Sequence, residues 1–79
     1  SQLPQRDLLA EDIDLHLQAE CSYLIGGFYL NVFRAQSRAK KYFELAIQIW
    51  DSMHVPNPSQ SFPYYDVVKS NLEFLASGD

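Results

Sequence analysis

The sequence has little of several features that define broad classes of protein. Cys21 is the single cysteine among 79 residues, which excludes an intramolecular disulfide framework and is typical of a reducing compartment. No apolar run approaches the roughly 18 residues that span a bilayer, and residues 1–12 lack the basic and then apolar pattern of a signal peptide. We therefore expect a soluble, intracellular and cytoplasmic chain without a membrane partner, forming one small domain.

Basic residues are also few. Six Lys and Arg stand against ten Asp and Glu, so that the net charge is −4, which argues against nucleic acid as a partner. The charges are unevenly placed, because residues 1–20 carry five acids and residues 34–41 carry four bases and no acid. Solvated helix faces account for charge clusters of this size, although such a layout can also steer a charged partner.

Residues 39–53 carry the clearest helical pattern in the sequence. Small and bulky apolar residues recur there near a period of 3.6, without Gly or Pro, at Ala39, Phe43, Ala46, Trp50 and Met53. A small residue beside a bulky one leaves a hollow into which a neighbouring helix packs. The pattern predicts a helix that lies closely between other helices, and Ser37 is its expected N-cap.

Two helical segments precede it. Residues 1–6 are interpreted as a lead-in, and Asp7 is the expected N-cap of a helix over about residues 7–20, which could also continue without a break. Residues 19–33 are apolar nearly all round, which predicts a buried helix or one whose second face is free for a partner. Gly26 and Gly27 would weaken this helix by roughly 1–2 kcal/mol, which predicts the close approach of another backbone. A strand over residues 28–33 is the alternative, but it has no second strand to pair with.

Prolines interrupt the pattern in the C-terminal third. Three of them fall within residues 54–63, which predicts a loop that ends the central helix. Helical spacing resumes over residues 64–77, with either Val67 or Val68 on the core side, and Gly78 is typical of a helix C-terminus. The expected fold is all-α, with three to four helices in antiparallel hairpins that form a single domain over residues 7–79.

Residues that could carry chemistry are scarce. His16 and Cys21 would lie about 140° apart on a helix, and no Cys-x-x-Cys or His-x-x-x-His spacing indicates a metal site. We expect Cys21 to be buried and structural, and His54 to interact with the end of the central helix. The acids of residues 11–14 lack a pocket that would shift a pKa, and no Gly-rich phosphate loop is present. The sequence predicts no catalytic residue, no metal and no cofactor.

Six of the small and bulky positions resemble the signature of the tetratricopeptide repeat, a two-helix unit of about thirty-four residues. Tyr23, Gly27 and Leu30 match its helix A, and Ala39, Phe43 and Ala46 match its helix B. The resemblance covers residues 19–79. Within it, Val67, Asn71 and Phe74 look similar to helix A of a second repeat, which follows a proline-bearing loop like that of kinesin light chains. The sequence departs from the pattern at Gly26, where leucine is usual, at the displaced Pro56, and in lacking the second helix B. A rival resemblance is to the three-helix microtubule-interacting-and-trafficking domain, through residues 68–75.

The repeat resemblance implies a non-enzymatic scaffold or adaptor that binds a peptide or helix on a face formed mostly by helix A. Tyr23 and Phe28 could equally belong to the core, and the high apolar content makes self-association a further expectation. The alternative is a nucleic-acid- or transcription-associated helical domain that contacts phosphates through one helix face in the basic stretch 34–41. The expected partner-binding residues are Tyr23, Phe28, Asn31, Arg34, Arg38, Lys41 and Tyr42.

Overall fold

A computed structural model describes residues 2–77, with side chains from residue 11 onward. Asp7 lies inside a helix that begins at Gln2, so its predicted role as an N-cap is wrong. The expected C-cap Gly78 lies outside the described residues. The chain forms α1 (Gln2–Asn31), α2 (Gln36–Ser52), α3 (Pro58–Ser61) and α4 (Tyr65–Ser77). Residues 2–77 contain no strand, so the predicted all-α fold is confirmed.

The two expected N-terminal segments are a single helix of 30 residues, α1. The lead-in interpretation is wrong for residues 2–6, because a proline is tolerated in the first turn of a helix, where its missing N–H would have no partner. The strand alternative over residues 28–33 is also wrong. Helical hydrogen bonding reaches Val32, whose amide donates to the Phe28 carbonyl at 2.9 Å. The chain then turns at Arg34, which adopts a left-handed φ of 56°, a common way to end a helix.

Helix α2 begins earlier than expected. Ala35 occupies the N-cap without a side-chain hydrogen bond, and Ser37 lies inside the helix, so the predicted Ser37 cap is wrong. The turn that closes α1 extends to Ala35, whose amide donates to the Tyr29 carbonyl at 2.8 Å, and α2 follows at once. At the other end His54 takes a left-handed φ of 56° and its amide donates to the Asp51 carbonyl at 3.2 Å. The backbone of His54 therefore helps to end α2.

Helices α1 and α2 pack antiparallel along a seam of small residues. Ala19, Ser22 and Gly26 are buried on α1 at helical spacing. They oppose the α2 stripe predicted from the sequence, of which Ala39, Phe43, Ala46 and Trp50 are fully buried. A Cβ atom added to Gly26 would lie 2.8 Å from the Phe43 ring and 3.3 Å from the Ala39 carbonyl oxygen. The close approach predicted for the glycine pair thus occurs at Gly26.

Gly27 does not contribute to this seam. A Cβ atom added there would meet nothing within 4 Å, so the expectation that Gly27 provides the close contact with helix B is wrong. Each residue rotates the side-chain direction by about 100° along a helix. Gly26 therefore points toward α2, and Gly27 points away from it.

An aromatic cluster closes the open end of the α1–α2 hairpin. The Trp50 ring stacks on Phe62 with centroids 5.6 Å apart and meets Tyr65 at 6.0 Å, while His16 of α1 stacks on Phe62 at 5.4 Å. Phe62 follows α3, the short helix that forms within the expected proline loop with Pro58 at its first position. The cluster fixes the proline segment against both long helices.

Helix α4 packs mainly against α2. Val68 is fully buried, while Leu72 and Leu75 pack against the core from half-buried positions. Val67 and Phe74 are 42% and 61% exposed. Of the two alternatives left open by the sequence, Val68 is therefore the core residue.

Candidate functional site

Several large apolar side chains are exposed on the side of α1 that faces away from α2. We call this side the outer face of α1 and define it by the non-polar residues between positions 11 and 32 that fall within one arc of about 100° on the helix. These are Ile13, Leu17, Cys21, Leu24, Phe28 and Val32. Cys21 is exposed, and the five large apolar side chains are between 52% and 61% exposed.

Helical geometry places this face opposite the seam. The centre of the outer face lies about 160° around the helix from the centre of Ala19, Ser22 and Gly26. Helix α1 is therefore apolar on two sides, and only one of them is covered by the rest of the described chain. A helix of this kind is expected to bury its second side against a partner.

The outer face is large for a free surface. A large apolar side chain presents about 200 Å² when isolated, so five that are slightly more than half exposed present on the order of 500 Å². The largest apolar patch on a typical monomeric protein is about 300–600 Å², so the outer face lies in the upper part of that range, and such patches are often functional. The size of the patch therefore points to contact with another macromolecule.

Three of the expected binding residues lie together on the C-terminal half of α1. Tyr23, Phe28 and Asn31 line one shallow groove with Leu24, Gly27 and Val32. Phe28 is 61% exposed and so belongs to the surface. Tyr23 is half-buried, because its ring stacks on Tyr64 at 4.8 Å and meets Phe43 at 6.4 Å.

A second groove continues from the first toward α4. Asn31 borders both grooves, and Arg34 lines the second one with Leu30, Gln36 and Phe74. The groove brings the end of α1 and the exposed side of α4 to a common depression. Four of the seven expected residues, Tyr23, Phe28, Asn31 and Arg34, are thus adjacent along α1 and its closing turn.

The other three expected residues lie on α2. Tyr42 stacks on Tyr29 with ring centroids 5.5 Å apart, and the Arg38 guanidinium carbon lies 5.8 Å from the same ring. Lys41 and Tyr42 line a separate depression on α2. The expected single basic face is wrong, because Arg34 belongs to the turn that ends α1 and is not part of α2.

Cys21 differs from its expected role, and His16 has a structural one. Cys21 was predicted to be buried but is exposed, because it lies on the outer face of α1. His16 is engaged in packing. Its Nδ1 accepts a hydrogen bond of 3.0 Å from the Trp50 indole N–H, so the ring proton of neutral His16 lies on Nε2, which is 3.1 Å from the Glu20 carboxylate.

One titratable group is clearly perturbed. The Tyr65 hydroxyl donates a hydrogen bond of 2.7 Å to the Asp51 carboxylate. This bond, together with burial and the negative charges of Asp51 and Asp66, raises the pKa of Tyr65 from 10.0 to about 12. The perturbation belongs to the contact between α2 and α4, away from the grooves, and therefore concerns stability.

Sequence reasoning missed five members of the outer face, namely Ile13, Leu17, Cys21, Leu24 and Val32. Their helical spacing was visible, but the apolar residues on the other side of α1 concealed it. A wheel drawn over one continuous helix from residue 11 to residue 32 would have separated the small residues of the seam from the large residues outside it.

No family model, curated protein or solved structure matches this chain. Within residues 2–77, none of the helices is both long and apolar enough to cross a membrane. Among the side chains that the structure describes, no group of three or more His, Cys, Asp or Glu residues is placed to hold a metal ion.

Proposed function

We propose that this chain is a non-enzymatic protein–protein interaction module, a tetratricopeptide-like scaffold or adaptor that binds a helix or peptide and can self-associate. The observation that carries the proposal is the uncovered apolar side of α1. A helix partner would lay its own apolar side along this face, which is a recurrent mode of protein recognition.

The polar residues at the end of α1 give this surface a means of orientation. Asn31 borders both grooves, and Arg34 follows at the turn. Hydrogen bonds and charges at the rim of an apolar patch contribute to specificity more than to affinity. We propose that Leu24 and Phe28 anchor the partner and that Asn31 and Arg34 orient it.

The basic stretch supports the nucleic-acid alternative less well. Arg38 lies over the Tyr29 ring, and Arg34 lies outside α2, so residues 34–41 do not form one continuous basic stripe along a helix. Phosphate binding depends on several such contacts acting together.

Site-specific photocross-linking tests the proposal. A benzophenone side chain at Phe28, introduced in the protein within cells, should yield discrete polypeptide adducts. The same group at Ser70, which is exposed on α4, should yield few. Mass spectrometry of the adducts would then identify the partner. Equal, diffuse labelling from both positions would contradict an interaction function for the outer face.

A further inference from the structure

His16 connects α1 to the aromatic cluster through a hydrogen bond that depends on its protonation state. Its Nδ1 accepts a hydrogen bond of 3.0 Å from the Trp50 indole N–H. A neutral imidazole has one acceptor nitrogen, whereas a charged imidazole has none, because both ring nitrogens then carry a proton. Protonation of His16 therefore removes the acceptor that Trp50 uses, and turning the charged ring does not restore it.

The Trp50 N–H lies in a part of the molecule where a lost acceptor has consequences. The Trp50 side chain is fully buried, and from residue 11 onward every buried polar side-chain atom has a hydrogen-bond partner. Leaving a buried donor unpaired is unfavourable. Once His16 is protonated, the indole N–H must therefore reach water or a different acceptor, and the contact between α1 and the cluster must rearrange.

Two carboxylates are placed to receive the charged ring. Asp12 and Glu20 lie four residues before and after His16 and so neighbour it on the surface of α1, with a Glu20 oxygen 3.1 Å from Nε2. Asp12 and His16 border a shallow depression that is closed on its other side by Phe62. The side chains of α2 and the proline segment that meet the His16 ring or line this depression carry no charge.

We propose that His16 is a pH-sensitive contact, which holds α1 to Trp50 when it is neutral and turns toward Asp12 and Glu20 when it is protonated. Histidine is the side chain whose charge ordinarily changes between pH 5 and pH 8, and protein pH sensors use it for that reason. The proposal does not depend on the interaction function of the outer face.

The rearrangement reaches the outer face of α1. Ile13 and Leu17 belong to that face and also line the depression beside His16. Phe62, on the other side of the depression, stacks on both His16 and Trp50, so it loses one of these two rings when His16 turns away. The N-terminal half of the outer face thus has a different border in acid from the one it has at neutral pH.

Nuclear magnetic resonance of the whole chain tests the contact at the atoms concerned. Trp50 is the single tryptophan, and His16 and His54 are the only two histidines, so each signal can be assigned. Between pH 8 and pH 5 the indole proton should move upfield as its hydrogen bond is lost, with the midpoint of the His16 ring titration. Nuclear Overhauser contacts between His16 and Phe62 should be lost over the same range. An indole signal that stays in place while His16 titrates, or a His16 ring that stays neutral down to pH 5, would overturn the proposal.

Two substitutions separate His16 from other titrating groups. His16→Asn replaces Nδ1 by an uncharged amide oxygen that can accept the same N–H, so the indole signal should no longer change with pH. His54→Asn removes the other histidine, which is exposed, and should leave the transition as it is. A transition that persists in the first variant or disappears in the second would assign the effect to another group.

Far-ultraviolet circular dichroism distinguishes a local release from unfolding. The helical signal of the unmodified chain should be retained through the transition between pH 8 and pH 5. Loss of helix with the same midpoint as the indole signal would show that the whole chain unfolds, and would overturn the local contact change proposed for His16.

Discussion

Gly26 and Gly27 allow the same substitution to be made at two adjacent positions with opposite expected results. Alanine is better than glycine inside a helix by about 1 kcal/mol. At Gly27 the added methyl group meets nothing within 4 Å, so Gly27→Ala should stabilise the protein by about that amount. In a domain of this size, 1 kcal/mol corresponds to roughly 4–8 °C in melting temperature.

At Gly26 the same methyl group has no room. It would lie 2.8 Å from two ring carbons of Phe43, which is fully buried, and 3.3 Å from the Ala39 carbonyl oxygen. Overpacking of this kind costs about 1–3 kcal/mol, which exceeds the gain in helix propensity. Gly26→Ala should therefore destabilise the protein by about 1 kcal/mol, and the two variants should differ by about 2 kcal/mol.

Urea unfolding followed by far-ultraviolet circular dichroism, at one protein concentration, measures both effects. If the slope of the unfolding free energy against urea concentration is the same in all variants, shifts in the unfolding midpoint report changes in stability. Phe43→Leu should relieve the contact, so that Gly26→Ala is less harmful in that background than in the native one. Equal stabilisation by the two alanine variants would refute the seam as described, because it would mean that α2 does not approach Gly26.

The remaining predictions concern the aromatic cluster. His16→Ala should cost about 2 kcal/mol, because the buried Trp50 N–H loses its acceptor, whereas His54→Ala should cost less than about 0.5 kcal/mol at its exposed position. A Trp50→Phe background should reduce the His16 effect in a thermal-unfolding double-mutant cycle, and a full effect there would contradict the hydrogen bond. Tyr65→Phe should cost about 1 kcal/mol at pH 8, since exposed Asp51 is screened by solvent. Folding raises the pKa of Tyr65 to about 12. The native protein should therefore be more stable than Tyr65→Phe below pH 10, and this difference in unfolding free energy should disappear as the pH rises toward 12. A pH-independent difference in unfolding free energy would contradict this assignment.

Much of the fold follows from local pattern. Four of the five residues in the α2 stripe are fully buried as predicted, because α2 has a polar side that defines its orientation. The three prolines between residues 54 and 63 end α2 in the expected region, since they cannot continue its hydrogen bonding. The all-α class was likewise available from helical spacing.

The candidate site was harder to predict from the sequence than the fold. Of the expected residues, Tyr23, Phe28, Asn31 and Arg34 lie side by side, but Arg38, Lys41 and Tyr42 lie on another helix. A pattern places residues on a helix without stating how neighbouring helices are arranged around it. A helical wheel separates the large residues of the outer face from the small residues of the seam, but only the position of α2 shows which of these two sides of α1 is covered.

The sequence by itself determined that this chain forms helices and which side of α2 is buried. Only the tertiary structure decided which side of α1 is covered, and with it the positions of Gly26, Gly27 and Cys21. The reason is that α1 is apolar on both sides, so periodicity alone does not show which side packs against the rest of the chain. Small residues select the buried side because they let α2 approach closely, and large residues of equal hydrophobicity are left outside.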